Sequence, residues 1–153
     1  MQPSIGQTIR FAAAVCVVAA IAVSSAAVGL KERQEANKLL DRQSKVLGVA
    51  GLIEPGEKLT AERAQEMFDE YIVTIPVELE TGEIAEEIDP VTYDQRSASQ
   101  DPATSEVAPP NAAKVSRLPD VGLVYQVMRD GIVDKVILPV EGMGLWSTLY
   151  GYI

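Results

Sequence analysis

The hydrophobic positions of the chain first form one long run and later alternate with polar positions. Residues 11–30 are twenty consecutive positions without a charged side chain. As an α-helix they extend about 30 Å, the thickness of the hydrocarbon core of a bilayer. In residues 31–50, charged positions mix with leucine and valine at helical spacing. The pattern therefore predicts a transmembrane helix over 11–30 and a juxtamembrane helix over 31–50, with Gly48 and Gly51 as candidate stops.

Two interpretations of the apolar run differ in whether the mature protein keeps it. Arg10 and the small residues 25–27 also resemble the n-region and the cleavage site of a secretory signal. The apolar core of such a signal is usually about 7–15 residues long, so the length of this run favours a retained anchor. Orientation stays open, because the basic residues in 31–50 favour the cytoplasmic side but this rule weakens for long translocated domains.

After residue 50, the pattern predicts an α+β fold in which a small domain combines an antiparallel sheet with flanking helices. Thr60 is a good N-cap for a helix whose apolar face includes Phe68. Residues 72–80 alternate as a strand, and Pro76 within them suits the edge of a sheet because proline has no N–H to donate. Residues 97–111 are rich in proline and small side chains, which predicts a flexible loop.

The C-terminal third of the chain predicts further strands. Residues 121–128 and 132–140 flank Asp130-Gly131, a dipeptide typical of a type I′ hairpin turn. A glycine-containing loop over 141–144 separates them from 145–153, another uncharged strand. Because an apolar strand normally needs a paired and covered environment, we expect this domain to be truncated at its C-terminus.

Composition excludes several kinds of site. The chain has no histidine and one cysteine, Cys16, which excludes a His-based catalytic triad, a zinc finger and an internal disulfide. The net charge is −9, and residues 51–110 hold fifteen acidic side chains against three basic ones. That balance argues against a nucleic-acid partner. The spacing of the acidic residues does not match a calcium loop, so we predict a solvated face, no metal site and no catalytic residue.

The most informative stretch for a ligand surrounds two glycines near the end of the chain. Gly142 and Gly144 can take positive φ or let a flat ligand approach the backbone closely. Leu145 and Trp146 follow directly, and the indole either lies along an aromatic ligand or fills the core. We predict Gly142, Gly144, Leu145 and Trp146 as cofactor-binding residues. The stretch is not a dinucleotide-binding motif, because the third glycine and the following helix are missing.

Several blocks of the sequence resemble one known family in the same order. One of them is the tetrapeptide Tyr93-Asp94-Gln95-Arg96, and another is the stretch from Gly142 to Trp146. In chain order, the blocks are residues 26–30, 40–51, 93–96, 121–125, 135–140 and 142–146. Together they resemble the C subunit of the bacterial sodium-translocating NADH:quinone reductase, a family with an FMN-binding domain.

The resemblance implies a location, a set of partners and a function. Residues 1–10 would be cytoplasmic, 11–30 would cross the inner membrane once, and 51–153 would be the N-terminal part of a periplasmic FMN-binding-type domain. The partners would be the lipid bilayer and the other subunits of a six-subunit respiratory complex. FMN would relay electrons from NADH towards ubiquinone while sodium is transported. The Gly142–Trp146 loop would line the pocket of the flavin ring.

The family attaches FMN through its phosphate to the threonine of a Ser-Gly-Ala-Thr motif, which does not occur in these 153 residues. We therefore expect the chain to be the N-terminal portion of such a protein and to be inactive alone. Two alternatives remain: a cofactor-free, membrane-anchored accessory protein, or the G subunit of the related electron-transport complexes. The blocks at Tyr93–Arg96 and Gly144–Trp146 favour the C subunit of the reductase over this G subunit.

Overall fold

The structure, a computed structural model, describes residues 4–54 and 56–153. It contains one long helix, α1, which runs from Ile5 to Ala50. The chain divides into a unit that ends at Leu39 and a second unit, Leu40–Ile153. Helix α1 confirms the helix predicted over 11–50 and shows that Gly51, not Gly48, follows its end. Gly51 takes a φ of +76°, the left-handed conformation that terminates helices and that glycine adopts without strain.

The first unit contains the apolar part of α1, residues 11–30. Among the described residues, α1 is the one helix long and apolar enough to cross a membrane. Its large apolar side chains, among them Phe11, Val18 and Val28, are exposed. An uncharged surface of this length requires an apolar surrounding, and a bilayer provides one. A signal sequence meets the same criteria of length and composition, so retention of the anchor stays a prediction.

The second unit combines two short helices with seven antiparallel strands in its described part, which confirms the predicted α+β class. The helices are α2 (Ala61–Tyr71) and α3 (Gln95–Gln100). The strands are β1 (Ile72–Glu78), β2 (Ser105–Val107), β3 (Arg117–Pro119), β4 (Val121–Arg129), β5 (Ile132–Ile137), β6 (Pro139–Met143) and β7 (Thr148–Tyr152). They form a three-stranded sheet in the order β1-β4-β5 and two ladders, β2-β3 and β6-β7.

Local signals account for several of these elements. The Thr60 side chain accepts a hydrogen bond from the Arg63 N–H and caps α2, as predicted. Strand β1 lies at the edge of its sheet. The Pro76 carbonyl accepts the Ala85 N–H from outside that edge, so the missing Pro76 N–H lies on the side away from β4 and removes no hydrogen bond of the β1–β4 ladder. The turn between β4 and β5 has positive φ at both Asp130 (53°) and Gly131 (76°), the signature of the predicted type I′ turn.

The core lies where the end of α1 meets the three-stranded sheet. On α1, the buried positions Gln43, Val46, Leu47 and Ala50 recur at helical spacing and form one face. Strand β4 contributes alternating buried residues to the same cluster. The buried apolar members are Val46, Leu47, Ala50, Ile72, Leu123, Tyr125, Val127 and Ile137.

The predicted loop over 97–111 is wrong where the structure forms α3 and β2. Asp94 caps α3 by accepting hydrogen bonds from the N–H groups of Arg96 and Ser97. The hydroxyl of Ser105, buried in β2, donates to the Asp101 carbonyl at 2.6 Å. Side-chain hydrogen bonds thus stabilise a segment that is poor in large apolar residues, and composition does not reveal them.

The strand predicted over 132–140 and the loop over 141–144 are also corrected. Strand β5 ends at Ile137, and β6 begins at Pro139 in a different ladder. Residues 141–143 therefore belong to β6 rather than to a loop. The break falls at Pro139, whose missing N–H cannot continue a ladder of backbone hydrogen bonds.

Candidate functional site

The candidate cofactor-binding residues lie on and beside the β6–β7 hairpin. Gly142 is within β6, opposite Leu149 of β7. Gly144, Leu145 and Trp146 lie in the connection between the two strands, residues 144–147. The Gly144 N–H donates to the Ser147 carbonyl at 2.9 Å and closes this connection as a tight turn. The hairpin therefore presents Leu145 and Trp146 at its tip.

The two glycines serve the hairpin itself. Neither has the positive φ that the sequence suggested, since the glycines with positive φ in the described chain are elsewhere. A Cβ on Gly144 would lie 2.8 Å from the Ser147 carbonyl oxygen, closer than real Cβ contacts allow. At Gly142, a Cβ would make an ordinary contact of 3.6 Å with the Cβ of Ala113. Gly144 is thus required by the tight turn, and an approach of a ligand to either glycine stays a prediction.

The tip of the hairpin is an exposed apolar patch. Leu145 and Trp146 are each 97% exposed, so the interpretation of Trp146 as a core residue is wrong for this chain. Leu149 is also exposed, and its side chain lies close to Gly144. We call Leu145, Trp146 and Leu149 the hairpin patch. Exposed apolar side chains of this kind are candidates for contact with a ligand or another protein surface.

The tetrapeptide Tyr93–Arg96 connects α3 to the start of β4. The Tyr93 hydroxyl donates to the Val121 carbonyl at 2.8 Å. The Gln95 side-chain oxygen accepts the Leu123 N–H at 2.8 Å. These two bonds replace the backbone partners that the start of β4 would otherwise need, and they hold α3 against the sheet.

Arg96 links the same tetrapeptide to the hairpin. Its guanidinium lies 4.1 Å from the centre of the Tyr150 ring, a cation–π contact. The tetrapeptide is therefore a neighbour of the hairpin that carries residues 142–146. Sequence reasoning missed this contact, because an arginine and a tyrosine carry no spacing signal that pairs them.

A second aromatic contact joins the hairpin to the core. The Tyr125 ring packs edge to face against Phe68 at 6.1 Å and against Tyr152 at 5.9 Å between ring centres. Burial raises the pKa of Tyr125 to about 12, and burial also raises the pKa of Tyr152. Both phenols stay neutral at physiological pH, so their packing does not bring a charge into the core.

The residues of the hairpin patch have no ionisable side chain. In residues 4–54 and 56–153, no group of three or more acidic or cysteine side chains is placed to hold a metal ion. Cys16 lies in the apolar part of α1, in the other unit. The patch can therefore offer shape, apolar surface and an aromatic face to a ligand, rather than acid–base groups.

Known proteins similar to this chain include C subunits of a bacterial reductase. No family model matches the chain. The C subunit of the Na(+)-translocating NADH-quinone reductase of Pseudomonas aeruginosa is 41% identical over 154 residues, which cover 99% of this chain and 58% of that protein. The same protein of Vibrio campbellii is 40% identical over 156 residues, which cover 98% and 58%. The chain is a homologue of these C subunits.

A solved structure supports this relationship at the level of the fold. The crystal structure of Shewanella oneidensis NqrC superimposes with a TM-score of 0.65 and 28% identity, over 76% of this chain and 52% of that chain. The resemblance predicted from the sequence is thereby confirmed. This chain spans about 58% of the length of the curated relatives that it matches.

Proposed function

We propose that this chain acts as the C subunit of a sodium-translocating NADH:quinone reductase and relays electrons through FMN towards quinone while sodium is transported. The observation that carries the proposal is its 41% identity to such a protein across 99% of its residues. A long apolar helix followed by a small α+β domain is consistent with a membrane-anchored component of such a complex.

The proposed location follows the resemblance. Residues 11–30 cross the inner membrane once and 1–10 stay in the cytoplasm. Residues 31–50 form the juxtamembrane helix, and 51–153 belong to a periplasmic FMN-binding-type domain. The lipid bilayer and the other subunits of a six-subunit complex are the partners. The exposed apolar surface of α1 supports contact with lipid or with other membrane helices.

For the cofactor, we propose that Gly142, Gly144, Leu145 and Trp146 contact the ring of FMN. When bound, FMN supplies the electron-transfer chemistry that the side chains of the patch do not provide. An indole that is 97% exposed offers a flat face for stacking, and Leu145 beside it excludes water from the ring. Gly144 allows the tight turn that carries both side chains. Because Ser-Gly-Ala-Thr does not occur in these residues, we propose ring contact for this chain and no covalent link.

Co-purification tests membership of the complex. We expect a tagged form of the full chain, expressed with the other reductase subunits, to be recovered with them from detergent-solubilised membranes. A tagged, unrelated single-span protein of similar size is the control. Recovery of the chain without the other subunits would contradict the proposal.

Trp146→Ala tests the proposed contact with the flavin ring. We expect it to weaken binding of riboflavin or FMN to the detergent-solubilised full chain about tenfold, since an aromatic contact and its buried area are lost. The free energy of unfolding should change by less than about 0.5 kcal/mol, because the side chain is exposed. Flavin fluorescence anisotropy measures the affinity, and urea denaturation measures the stability.

Leu118→Ala is the control for that experiment, since Leu118 is an exposed leucine of β3 outside the hairpin patch. It should leave flavin affinity unchanged, whereas Leu145→Ala should lower it. Equal affinities of the wild type and Trp146→Ala would show that the patch does not contact the ring. Assembly with the other subunits without any flavin contact would favour the accessory-protein alternative.

A further inference from the structure

An open cavity of about 280 Å³ lies against one face of the β6–β7 hairpin, and its walls are about equally polar and apolar. Its walls come from the end of α3, from residues 114–117 and from both strands of the hairpin. The side chains that define its chemistry are Ser99, Lys114, Arg117, Glu141, Thr148 and Tyr150. With Ser116, two cations and four hydroxyl groups thus share a cavity with one carboxylate, in a chain whose net charge is −9.

The backbone at Lys114 is held in a conformation that few residues adopt. Lys114 has a φ of +54°, in the left-handed region that costs energy for a residue with a Cβ. Asn111 fixes this segment, since its side chain donates to the Val115 carbonyl (2.8 Å) and accepts the Val115 N–H (3.0 Å). The Met143 N–H donates to the Ala113 carbonyl at 2.7 Å. The segment that carries Lys114 is therefore attached to β6, at the edge of the cavity.

Arg117 is positioned by β2. Its Nε donates to the Ser105 hydroxyl at 2.8 Å, and a terminal nitrogen donates to the Ser105 carbonyl. These bonds use two of the five N–H donors of the guanidinium and leave three for another acceptor. None of the four ion pairs between described side chains involves Lys114 or Arg117. Both cations thus line the cavity without a carboxylate in close contact.

We propose that this cavity binds phosphate, either as the free ion or as a small phosphomonoester. A guanidinium fork and an ammonium group are the side chains that proteins use most for phosphate oxygens, and their hydrogen bonds to it are charge-assisted. The hydroxyls of Thr148 and Tyr150, also in the lining, add neutral donors. The cavity exceeds the size of one phosphate ion, which leaves room for a small organic group. The proposal does not depend on flavin binding at the hairpin patch.

Calorimetric titration of the full chain in detergent tests the proposal, with inorganic phosphate in one arm and methyl phosphate in the other. The buffer contains no phosphate, and chloride keeps the ionic strength constant. We expect saturable binding of at least one of the two ligands. Binding of inorganic phosphate alone would identify the free ion as the ligand, whereas stronger binding of methyl phosphate would identify a monoester.

Three variants assign the binding to the cavity. Lys114→Asn removes the charge with a residue that tolerates positive φ, and we expect a loss of affinity of about tenfold. Lys58→Asn removes the same charge from an exposed lysine outside the cavity and should change the affinity less than about twofold. Glu141→Gln removes the one carboxylate among the lining residues and should strengthen binding about threefold.

The Glu141 variant keeps the test decisive if Lys114→Asn fails to fold, because it predicts a gain. If Lys114→Asn and Lys58→Asn lowered the affinity equally, the loss would come from the change in net charge alone, and this result would overturn the proposal. Absence of saturable binding of both ligands up to about 10 mM, where a site of submillimolar affinity is saturated, would overturn it as well. An unchanged affinity in Glu141→Gln would place the phosphate elsewhere.

Discussion

Leu47→Ala should lower the free energy of unfolding of the Leu40–Ile153 unit by about 3–4 kcal/mol. Leu47 is fully buried in the cluster that joins the end of α1 to the three-stranded sheet. Truncation removes apolar contacts and leaves a cavity that the packed strands β1 and β4 cannot fill by small shifts. Urea denaturation of the full chain in detergent, followed by circular dichroism, measures the change.

Two valines on the same helix provide a matched control for that prediction. Val46 is fully buried and Val49 is 44% exposed, so the same substitution to alanine removes the same atoms from different surroundings. We expect Val46→Ala to cost about 2 kcal/mol and Val49→Ala less than about 0.5 kcal/mol. Equal effects would show that the end of α1 does not contribute to the core.

Two arginines in the apolar run should release the chain from the membrane. Ala19→Arg together with Ile21→Arg places two charges near the middle of residues 11–30. Each arginine at the centre of a membrane helix costs about 2.5–3.5 kcal/mol for insertion, so the pair costs about 5–7 kcal/mol. We expect the wild type to stay in the membrane fraction after carbonate extraction and the double variant to be lost from it.

Gln34→Arg with Ala36→Arg is the control for the anchor, because it adds the same two charges beyond the apolar run. This variant should remain in the membrane fraction. A mature N-terminus near Val28 in the wild type would contradict the anchor and support a cleaved signal. N-terminal sequencing of the purified protein distinguishes the two.

Several blocks of residues, rather than any single site, indicated the homology of the chain. The blocks that resemble the reductase family include the tetrapeptide at Tyr93–Arg96 and the stretch at Gly142–Trp146, and the relatives confirm the resemblance. In the fold, the tetrapeptide meets the hairpin that carries the second block through Arg96 and Tyr150. This contact attaches α3 to the hairpin.

Features that depend on neighbours in sequence were determined by the sequence itself. The apolar run and the helical spacing after it predicted α1, since a helix satisfies its own backbone hydrogen bonds. Asp130-Gly131 predicted the type I′ turn, because its two residues tolerate the positive φ that the turn requires. Thr60 predicted the start of α2 through a hydrogen bond to a residue three positions away.

Features that depend on distant neighbours were decided by the tertiary structure. Tryptophan is a residue type that is common in protein cores, yet Trp146 is exposed. The Gly144 N–H and the Ser147 carbonyl close a tight turn, and this turn places Trp146 at the surface. Residues 97–111 have the composition of a loop, yet Ser105 and Arg117 pair across two strands and give part of it regular structure. Lys114 and Glu141 share a cavity that no spacing rule predicts. In each case the structure depends on a contact between side chains or backbone groups that are distant in the sequence. Only packing brings these groups together, so the periodicity of the sequence does not predict the contact.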